Sequence, residues 1–413
     1  MAISDINEYA HLSDADVEAL GVELDVLRRR VESDLGMRDV RYLRRTIAAQ
    51  RGLEVLGRLA LLGSNRRSLW LAGTVWLALS KIIENMELGH NVMHGQWDWM
   101  NDPEIHSTSW EWDMVCASPH WKHSHNYIHH KYTNVIDMDH DVGYKVLRVT
   151  RDQPWRVKNL FQPLQNLLLA ATFEWGIALH DLDLAGIIKG TRPREEGIPE
   201  VKLFLAKAAR QLGKDYVLFP AVSGVAQRSL RGATTTLAAN ATANLTRNVW
   251  AYAVIFCGHF PDGAEKFTVE TLEDETQGQW YLRQMLGTAN FEAGPALAFM
   301  SGNLCYQIEH HLYPDLPSNR LAEVSESVRE LCDKYDLPYN TGGFTMQYLR
   351  TLRTINKLAL PDRFLSDGVD DAPETTSERR FDRLGERAPG LRTALVRMKE
   401  RRLSRALRAR RLQ

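Results

Sequence analysis

The stretch YQIEHHLYP at residues 306–314 carries two adjacent histidines, His310 and His311. Imidazole is the commonest protein ligand for transition metals, and core packing gives no reason for two adjacent imidazoles. Neighbouring side chains of a helix point about 100° apart, so the pair supplies one ligand to each of two ions more easily than two ligands to one ion. The pair therefore indicates a two-metal site on a helix.

Two more histidine clusters, HNVMH at residues 90–94 and HNYIHH at residues 125–130, extend this pattern. His90 and His94 are four residues apart, which places both imidazoles on one face of a helix within reach of one ion. The second cluster holds another adjacent pair, His129 and His130, with His125 one turn before it. We therefore predict that the three clusters converge on one two-metal site.

Two other kinds of metal site do not fit the sequence. The zinc-protease motif requires a glutamate directly after the first histidine, where this chain has Asn91. A carboxylate-bridged di-iron bundle requires two Glu-x-x-His motifs and two further glutamates. One such motif is present, formed by Glu87 and His90, and we find no second partner for it. A histidine-dominated site with two metals remains.

The composition sets limits on the class of protein. The chain has 413 residues and a formal net charge of -1, a length that suits one large domain or two to three smaller ones. No basic excess favours a nucleic-acid partner, so we expect none. The four cysteines are scattered without a Cys-x-x-Cys motif, which argues against a disulfide framework and a thiolate zinc site. We expect them to be reduced and mostly buried: Cys116, Cys257, Cys305 and Cys332.

The pattern along the chain predicts three regions. Residues 1–52 form a polar helical region, in which Ser13 caps a helix with Val17, Leu20, Leu24 and Leu27 on one side. Residues 53–360 contain the histidine clusters. Residues 361–413 combine an acidic linker, at 367–378, with an arginine-rich tail. The tail fits either an amphipathic helix on anionic lipid or a solvated segment.

Four apolar runs lie in the middle region, at residues 68–80, 159–173, 216–226 and 248–260. A membrane span needs roughly 20 mostly apolar residues, and each of these runs is shorter. Buried core helices and membrane segments therefore both fit the hydropathy. The first run continues toward His94, so the first cluster is expected at the end of an apolar helix.

The clusters resemble the three histidine boxes of the membrane fatty acid desaturase and hydroxylase superfamily. Trp121 and the second cluster resemble the second box, and residues 307–314 with Pro317 resemble the third. Residues 90–104 and 257–266 are similar to actinobacterial acyl-CoA (stearoyl-CoA) desaturases. The resemblance implies an all-α, membrane-embedded bundle of about four transmembrane helices, with a cytosolic helical cap that carries a di-iron site. It also implies a multi-pass protein of the cell membrane whose active site faces the cytosol.

The family pattern implies one more ligand, from the end of a helix between the second and third boxes. His259 fills that place, because it follows an apolar run. Animal members carry an asparagine four residues before that histidine, where this chain has Ile255, so one ligand is expected to be missing or replaced by water. The third box departs from His-x-x-His-His because Gln307 holds its first position. We include Gln307 among the expected metal-binding residues, either as a weak ligand or as a residue that binds a water molecule at the site.

The resemblance implies oxygen-dependent desaturation of a long-chain fatty acyl-CoA near carbon nine. Two irons bind dioxygen and remove hydrogen from an unactivated methylene. The chain lacks a Gly-x-Gly-x-x-Gly motif and a cysteine set for an iron–sulfur cluster, so electrons must come from a separate NAD(P)H-dependent reductase or ferredoxin-type donor. Membrane lipid is a further expected partner. Two alternatives remain open: a lipid or alkane hydroxylase, and a non-catalytic lipid- or metal-binding protein.

Residues around the clusters carry weaker expectations. Asp139, Asp141 and Glu309 are predicted to orient histidine rings or, for the two aspartates, to be solvated. Tryptophans near the clusters either line an acyl tunnel or pack in the core: Trp97, Trp99, Trp110, Trp112 and Trp175. The remaining histidines are expected not to bind metal: His11, His106, His120, His123, His140 and His180.

Overall fold

The computed structural model describes residues 11–180, 182, 184–261 and 263–365. The acidic linker predicted at residues 367–378 and the basic tail after it lie outside these residues. The described part is helical and has no β-strand. Extended residues meet only at two isolated bridges, Val135 with Phe267 and Glu292 with Gly343. The predicted all-α class is thereby confirmed.

The α-helices of this part are numbered here in chain order. They are α1 (Asp14–Ser33), α2 (Met37–Leu61), α3 (Arg67–Ile83), α4 (Asn91–Met93), α5 (Ser118–Trp121), α6 (His130–Tyr132), α7 (Gln162–Ala171), α8 (Phe173–His180), α9 (Leu184–Lys189), α10 (Arg194–Leu212), α11 (Phe219–Ala226), α12 (Leu230–His259), α13 (Gln277–Gly287), α14 (Pro295–Met300), α15 (Gln307–Leu312), α16 (Leu321–Lys334) and α17 (Phe344–Leu358). Three π-helical segments join neighbouring α-helices: Glu84–His90, Lys122–His129 and Gly213–Leu218. Short 3-10 turns are Asp98–Met100, Val142–Lys145, Val157–Phe161, Val269–Leu272, Ser318–Arg320 and Asp362–Phe364.

Helix α1 begins as the sequence predicts. The Ser13 side chain accepts a hydrogen bond from the Asp16 backbone N–H, and the Asp16 side chain accepts one from the Ser13 backbone in return. The apolar face of α1 is buried against α13 and α16. Close approach to α13 depends on two glycines, because a Cβ on Gly21 would lie 3.0 Å from the Cα of Gly278.

Helix α12 is the centre of the bundle and packs against α3, α7 and α11. Its 30 residues span roughly 45 Å at about 1.5 Å per residue. Helices α2 and α3 form an antiparallel pair beside it, and Gly57 and Gly73 allow their backbones to approach closely. The region boundary expected after residue 52 falls inside α2. Because α12 ends at His259, the bundle delivers that imidazole to the end nearest the other clusters.

The four apolar runs correspond to α3, α7 with the turn before it, α11, and the second half of α12. Within the described residues, none of the helices is both long enough and apolar enough to cross a membrane. Charged side chains buried between these helices lower their hydropathy. Lys81 bonds Asp215 at 2.8 Å, and Arg247 bonds Glu174 at 2.7 Å, with all four residues buried.

Candidate metal centre

Widened helical turns carry the first two histidine clusters. Helix α3 continues through the π-helical segment Glu84–His90 into α4, so the apolar helix does run into the first cluster as predicted. The second cluster lies on the π-helical segment Lys122–His129 and on α6. A π-helical turn contains one more residue than an α-helical turn and occurs frequently at functional sites. The α-helical spacing expected for His90 and His94 is confirmed, because the widened turn ends at His90 and the His94 backbone N–H donates to the His90 carbonyl at 3.1 Å.

The structure brings all eight predicted histidines together. Helix α15 contributes His310 and His311, both 0% exposed, and the end of α12 contributes His259. The histidines of the first two clusters are buried as well, except His125, which is partly buried. Four elements distant in sequence thus meet at one water-excluded place.

The imidazoles form two groups whose nitrogens lie within 4.8 Å of one another. The first group is His90, His94, His125 and His310, and the second is His129, His259 and His311. His310 and His311 therefore belong to different groups, which is the division that an adjacent pair on one helix predicts. The ring of His130 lies between the groups, with its centroid 4.7 Å from that of His94 and 4.4 Å from that of His311.

Imidazole nitrogens that lack a hydrogen-bond partner indicate whether this cluster fits metal ions. The Nε2 atoms of His125, His129, His130, His310 and His311 are buried and have no hydrogen-bond partner. A buried polar atom without a partner costs on the order of 1–3 kcal/mol, so five such atoms facing one another need a common partner. Cations bound by neutral imidazoles satisfy this need, and the residues present fit a two-metal site.

Aspartates fix the rings of the second cluster. Nδ1 of His129 lies 3.0 Å from the Asp139 carboxylate, and Nδ1 of His125 lies 3.3 Å from that of Asp141. Asp141 is also held by His180, at 3.1 Å from Nε2. Because each Nδ1 donates outward, each Nε2 is left free toward the centre. The orienting role predicted for the two aspartates is confirmed in this geometry.

The rings of other histidines are held by residues that sequence reasoning missed. Nδ1 of His311 lies 3.1 Å from Oε1 of Gln284 and 3.2 Å from the hydroxyl of Thr133. Nδ1 of His90 lies 3.0 Å from Oδ1 of Asn91. No local signal marks Gln284, which reaches the site from α13.

Glu309 does not orient a histidine ring, so that prediction is wrong. Its carboxylate accepts hydrogen bonds from Asn290, at 2.9 Å, and from the hydroxyl of Tyr339, at 2.7 Å. Oδ1 of Asn290 in turn accepts from the backbone N–H of Ile308. These bonds fasten α15 from the side opposite its histidines, because successive side chains on a short helix point in different directions.

The carboxylate of Glu87 is likewise turned away from the histidines. It accepts from the hydroxyls of Tyr42, at 2.8 Å, and Ser318, at 2.5 Å, and from the Asn303 amide. The Glu-x-x-His motif that Glu87 forms with His90 therefore does not supply a bridging carboxylate.

The chain departs from the fullest family pattern at Gln307 and Ile255, and these two residues lie at different places. Nε2 of the Gln307 amide is 3.1 Å from Nε2 of His259, and the Oε1 atom of Gln307 is buried without a partner. Ile255 lines an apolar cavity and offers no donor. Gln307 is thus placed beside the second group, while Ile255 leaves the position of the family asparagine apolar.

Burial keeps most of these imidazoles neutral. Burial and the neighbouring histidines hold the pKa values of His130, His310 and His311 well below the usual range. Burial also opposes charge on His129, but the Asp139 and Asp141 carboxylates outweigh it and raise the pKa of that ring. Neutral imidazoles have free lone pairs at neutral pH, which is the form that binds metal.

An apolar cavity adjoins the first group of histidines. His90, His125 and Asp141 form its polar end. Its apolar walls are Met86, Trp112, Trp121, Tyr144, Phe173, Ile177, Ala251 and Ile255. Of the five tryptophans considered above, only Trp112 lines this cavity; Trp97 is buried elsewhere, beside Tyr42, and Trp175 packs on Phe204.

A wider vestibule of about 670 Å³ opens on the other side of Ser124, which borders both spaces. It contains Lys145 and Arg192 and three of the histidines predicted not to bind metal, His120, His123 and His140. His106 bonds Thr108, and exposed His11 bonds the Tyr335 carbonyl, so both are remote from the cluster. His180 bonds Asp141 at 3.1 Å and lines the apolar cavity beside His90. The four cysteines are free and buried, as predicted.

Comparison with known proteins gives the family. A sequence model described as fatty acid desaturase matches residues 68–343. The chain is 59% identical to an NADPH-dependent stearoyl-CoA 9-desaturase of Mycobacterium tuberculosis, over 98% of this chain and 97% of that protein. It is 23% identical to the sn-1 linoleoyl-lipid 6-desaturase of Synechocystis sp., over 65% of this chain and 74% of that protein. No solved structure matches.

The family match includes all three histidine clusters and His259, the residues that the structure gathers at one site. It confirms the resemblance drawn from the motifs alone. The chain belongs to the fatty acid desaturase family.

Proposed function

We propose that this protein is an acyl-CoA 9-desaturase that introduces a double bond into stearoyl-CoA or a similar saturated acyl-CoA. The observation that carries the proposal is the near-full-length 59% identity to a stearoyl-CoA 9-desaturase. The two histidine groups beside an apolar cavity support the same conclusion, because they place a metal site against a space suited to a hydrocarbon.

Two iron ions are the proposed metals, one for each group of histidines. His90, His94, His125 and His310 would hold one ion, and His129, His259 and His311 the other, with His130 between them. Iron at such a site supplies dioxygen activation strong enough to break an aliphatic C–H bond. The protein keeps the imidazoles neutral, fixes their direction through Asp139 and Asp141, and excludes water by burial.

The electron balance of the reaction requires an external donor. Removal of two hydrogen atoms from adjacent carbons gives two electrons, whereas reduction of dioxygen to two water molecules takes four. The other two electrons are proposed to come from a separate NADPH-oxidising protein, since the described residues and the full sequence show no flavin or iron–sulfur motif. The name of the M. tuberculosis relative, which includes NADPH, agrees with this source.

The acyl chain is proposed to occupy the apolar cavity beside His90. In this structure the cavity has only about 30 Å³ of free space, so entry of the chain requires its wall side chains to move apart. The coenzyme A part is proposed to bind in the vestibule across Ser124, where Lys145 offers positive charge to its phosphates. Arg192 also lines the vestibule, paired there with Glu200 at 2.6 Å. This arrangement carries the middle of the chain past the first histidine group.

The bundle is further proposed to sit in the cell membrane with its metal centre on the cytosolic side. Large apolar side chains are exposed on α12 and on four helices around it: Leu59 at 58%, Val75 at 53%, Leu167 at 65%, Val225 at 78% and Leu245 at 47%. Paired charges in the interior of such a bundle are compatible with a lipid surface outside. Retention of the protein in membranes after alkaline carbonate washing tests this placement, and release into the wash would contradict it.

Product analysis tests the activity. Iron-loaded protein in lipid discs is supplied with stearoyl-CoA, dioxygen and a reducing system, and the acyl products are examined by mass spectrometry. A product lighter by two hydrogen atoms, with the double bond at carbon nine, is expected. A product heavier by one oxygen atom would instead identify a hydroxylase, and bound metal without turnover would identify a non-catalytic protein.

A further inference from the structure

A second large opening lies away from the acyl cavity and the vestibule. This arginine groove, of about 1050 Å³, runs between α2 and the segment that contains α14. Arg38, Arg41 and Arg45 line it from α2, and Phe299 and Pro295 face them. The groove shares no lining residue with either the acyl cavity or the vestibule.

The charge of the groove is incompletely neutralised. Arg38 pairs with Asp34 and Glu323. Arg41 hydrogen-bonds the Met37 carbonyl, and among the residues that the structure describes no carboxylate lies within ion-pair distance of Arg41 or Arg45. These two exposed guanidinium groups are four residues apart and therefore on one face of α2. Such a face attracts an acidic partner.

The groove also lies directly behind the helices that carry the metal centre. Tyr42 and Asn303, in its wall, both hydrogen-bond Glu87, which is three residues before His90. Tyr306, also in the wall, accepts a hydrogen bond from the backbone N–H of His310. Tyr306 thus lies one helical turn before His310, and Tyr42 and Asn303 contact Glu87, which lies within one turn of His90.

An aromatic contact between Tyr42 and Trp97 gives a second connection from the groove wall to the first histidine group. The ring of Tyr42 lies nearly parallel to that of Trp97, with 6.5 Å between centroids and 20° between planes. Trp97 is fully buried and follows His94 by three residues. Electron tunnelling weakens steeply with distance and is carried better by packed and bonded atoms than by empty space. A donor seated in the groove therefore has a packed path to the metal centre.

We infer that the arginine groove is the docking site of the electron donor, an acidic one-electron carrier protein of the ferredoxin type. The inference rests on the proposed function and adds the partner's surface to it. Two one-electron transfers through this surface oxidise two reduced iron–sulfur clusters per double bond. With the two substrate hydrogens and two protons from water, these electrons complete the reduction of dioxygen to two water molecules.

Binding tests the surface without requiring turnover. The probe is a plant-type [2Fe–2S] ferredoxin, and the full chain is held in lipid discs on a biosensor. The variant Arg41→Glu/Arg45→Glu should weaken ferredoxin binding at least tenfold, and the wild-type affinity should fall as salt rises. The control Arg29→Glu/Arg51→Glu makes the same change in charge at exposed positions outside the groove and should stay within twofold. Equal losses in both variants, or no loss in the groove variant, would overturn the inference.

A second measurement separates this inference from the proposed function. Turnover is compared between reduced ferredoxin and a small chemical reductant that needs no docking. The groove variant should lose at least tenfold in rate with ferredoxin and keep the wild-type rate with the small reductant. If wild type turns over with neither, the proposed function fails while the binding result still decides the surface. Weakened stearoyl-CoA binding with unchanged ferredoxin binding would identify a site for the substrate headgroup and overturn the inference.

Discussion

His310 and His311 are adjacent in sequence, but their rings are 89° apart with centroids separated by 5.7 Å, and they face different histidine groups. One short helix thereby contributes a nitrogen to each of two candidate metal positions. Because one peptide bond joins these two residues, α15 fixes how far apart the two candidate metal positions lie.

Replacing His310 should abolish turnover, because its buried ring makes no hydrogen bond and offers its nitrogen to the first group. We expect His310→Ala to lose desaturation and to bind less iron, measured by product analysis and by metal content. His11→Ala is the control, since His11 is exposed and bonds only the Tyr335 carbonyl. Full activity of His310→Ala would remove the basis of the metal assignment.

Replacing Asp139 tests whether its carboxylate orients the ring of His129 in the second cluster. Loss of an orienting carboxylate typically lowers metal affinity by about 10–100-fold. We expect Asp139→Asn to show a loss in that range by competition with a chelator, because His129 loses the charge that fixes its ring. Asp137→Asn is a matched control at an exposed position with φ of 67°, which asparagine tolerates. An equal effect of both changes would contradict an orienting role for Asp139.

Metal should stabilise the fold as well as support catalysis. Iron that binds only the folded state at a free concentration 100 times its dissociation constant adds about 2.7 kcal/mol to the free energy of unfolding. Thermal unfolding of metal-free and iron-supplied protein measures the difference. The variant His310→Ala/His311→Ala should show little of this rise, and an equal rise in that variant would place the metal elsewhere.

The metal-free protein should lose stability as the pH falls below about 6.5. The folded-state pKa values of His130, His310 and His311 lie well below their unfolded values. The unfolded chain therefore binds more protons in this range, and each histidine costs up to about 1.4 kcal/mol per pH unit. The raised pKa of His129 acts in the opposite direction, but its stabilising contribution is gained above about pH 6.5 and stays constant below it. Melting temperatures at pH 7.5, 6.5 and 5.5 check this, and a melting temperature that holds or rises toward acid would refute it.

Two glycines provide a matched test of packing near the site. Gly302 has φ of +70°, and a Cβ there would meet the Met86 carbonyl, so Gly302→Ala should destabilise the fold by more than about 1 kcal/mol. Gly52 lies on α2 with open space around it, so Gly52→Ala should stabilise the helix by up to about 1 kcal/mol. Denaturant unfolding measures both, and similar effects would mean that Gly302 is not sterically required.

The candidate site was predictable from sequence to the extent that its signals are local. The type and spacing of the histidines are read directly from the chain, and they predicted that the three clusters meet and that His310 and His311 divide between two groups. His259 was added from the family resemblance, because no spacing links it to the clusters. Hydropathy could not decide about a membrane, since it averages exposed apolar faces with interior charges such as Lys81 and Asp215. Those charges are paired only in the folded bundle.

The remaining features depend on tertiary packing. Gln284 reaches His311 from another helix, and Glu309 turns toward Tyr339, 30 residues further along the chain. Nothing near either residue in sequence distinguishes an orienting side chain from one that fastens a helix. The widened turns under the first two clusters are equally hidden, because the residues in them also suit a regular α-helix.

Those widened turns have a consequence for how the site tolerates changes in chain length. The segment Glu84–His90 accommodates one residue beyond a regular helix, so deletion of one residue there would let the chain relax into an ordinary α-helix. The fold would survive, but every later side chain of that helix would rotate by about 100° relative to α3. His90 and His94 would then face the wrong side of a bundle that is otherwise intact. The rotational position of these side chains about the helix axis is therefore as necessary for the metal site as their identity.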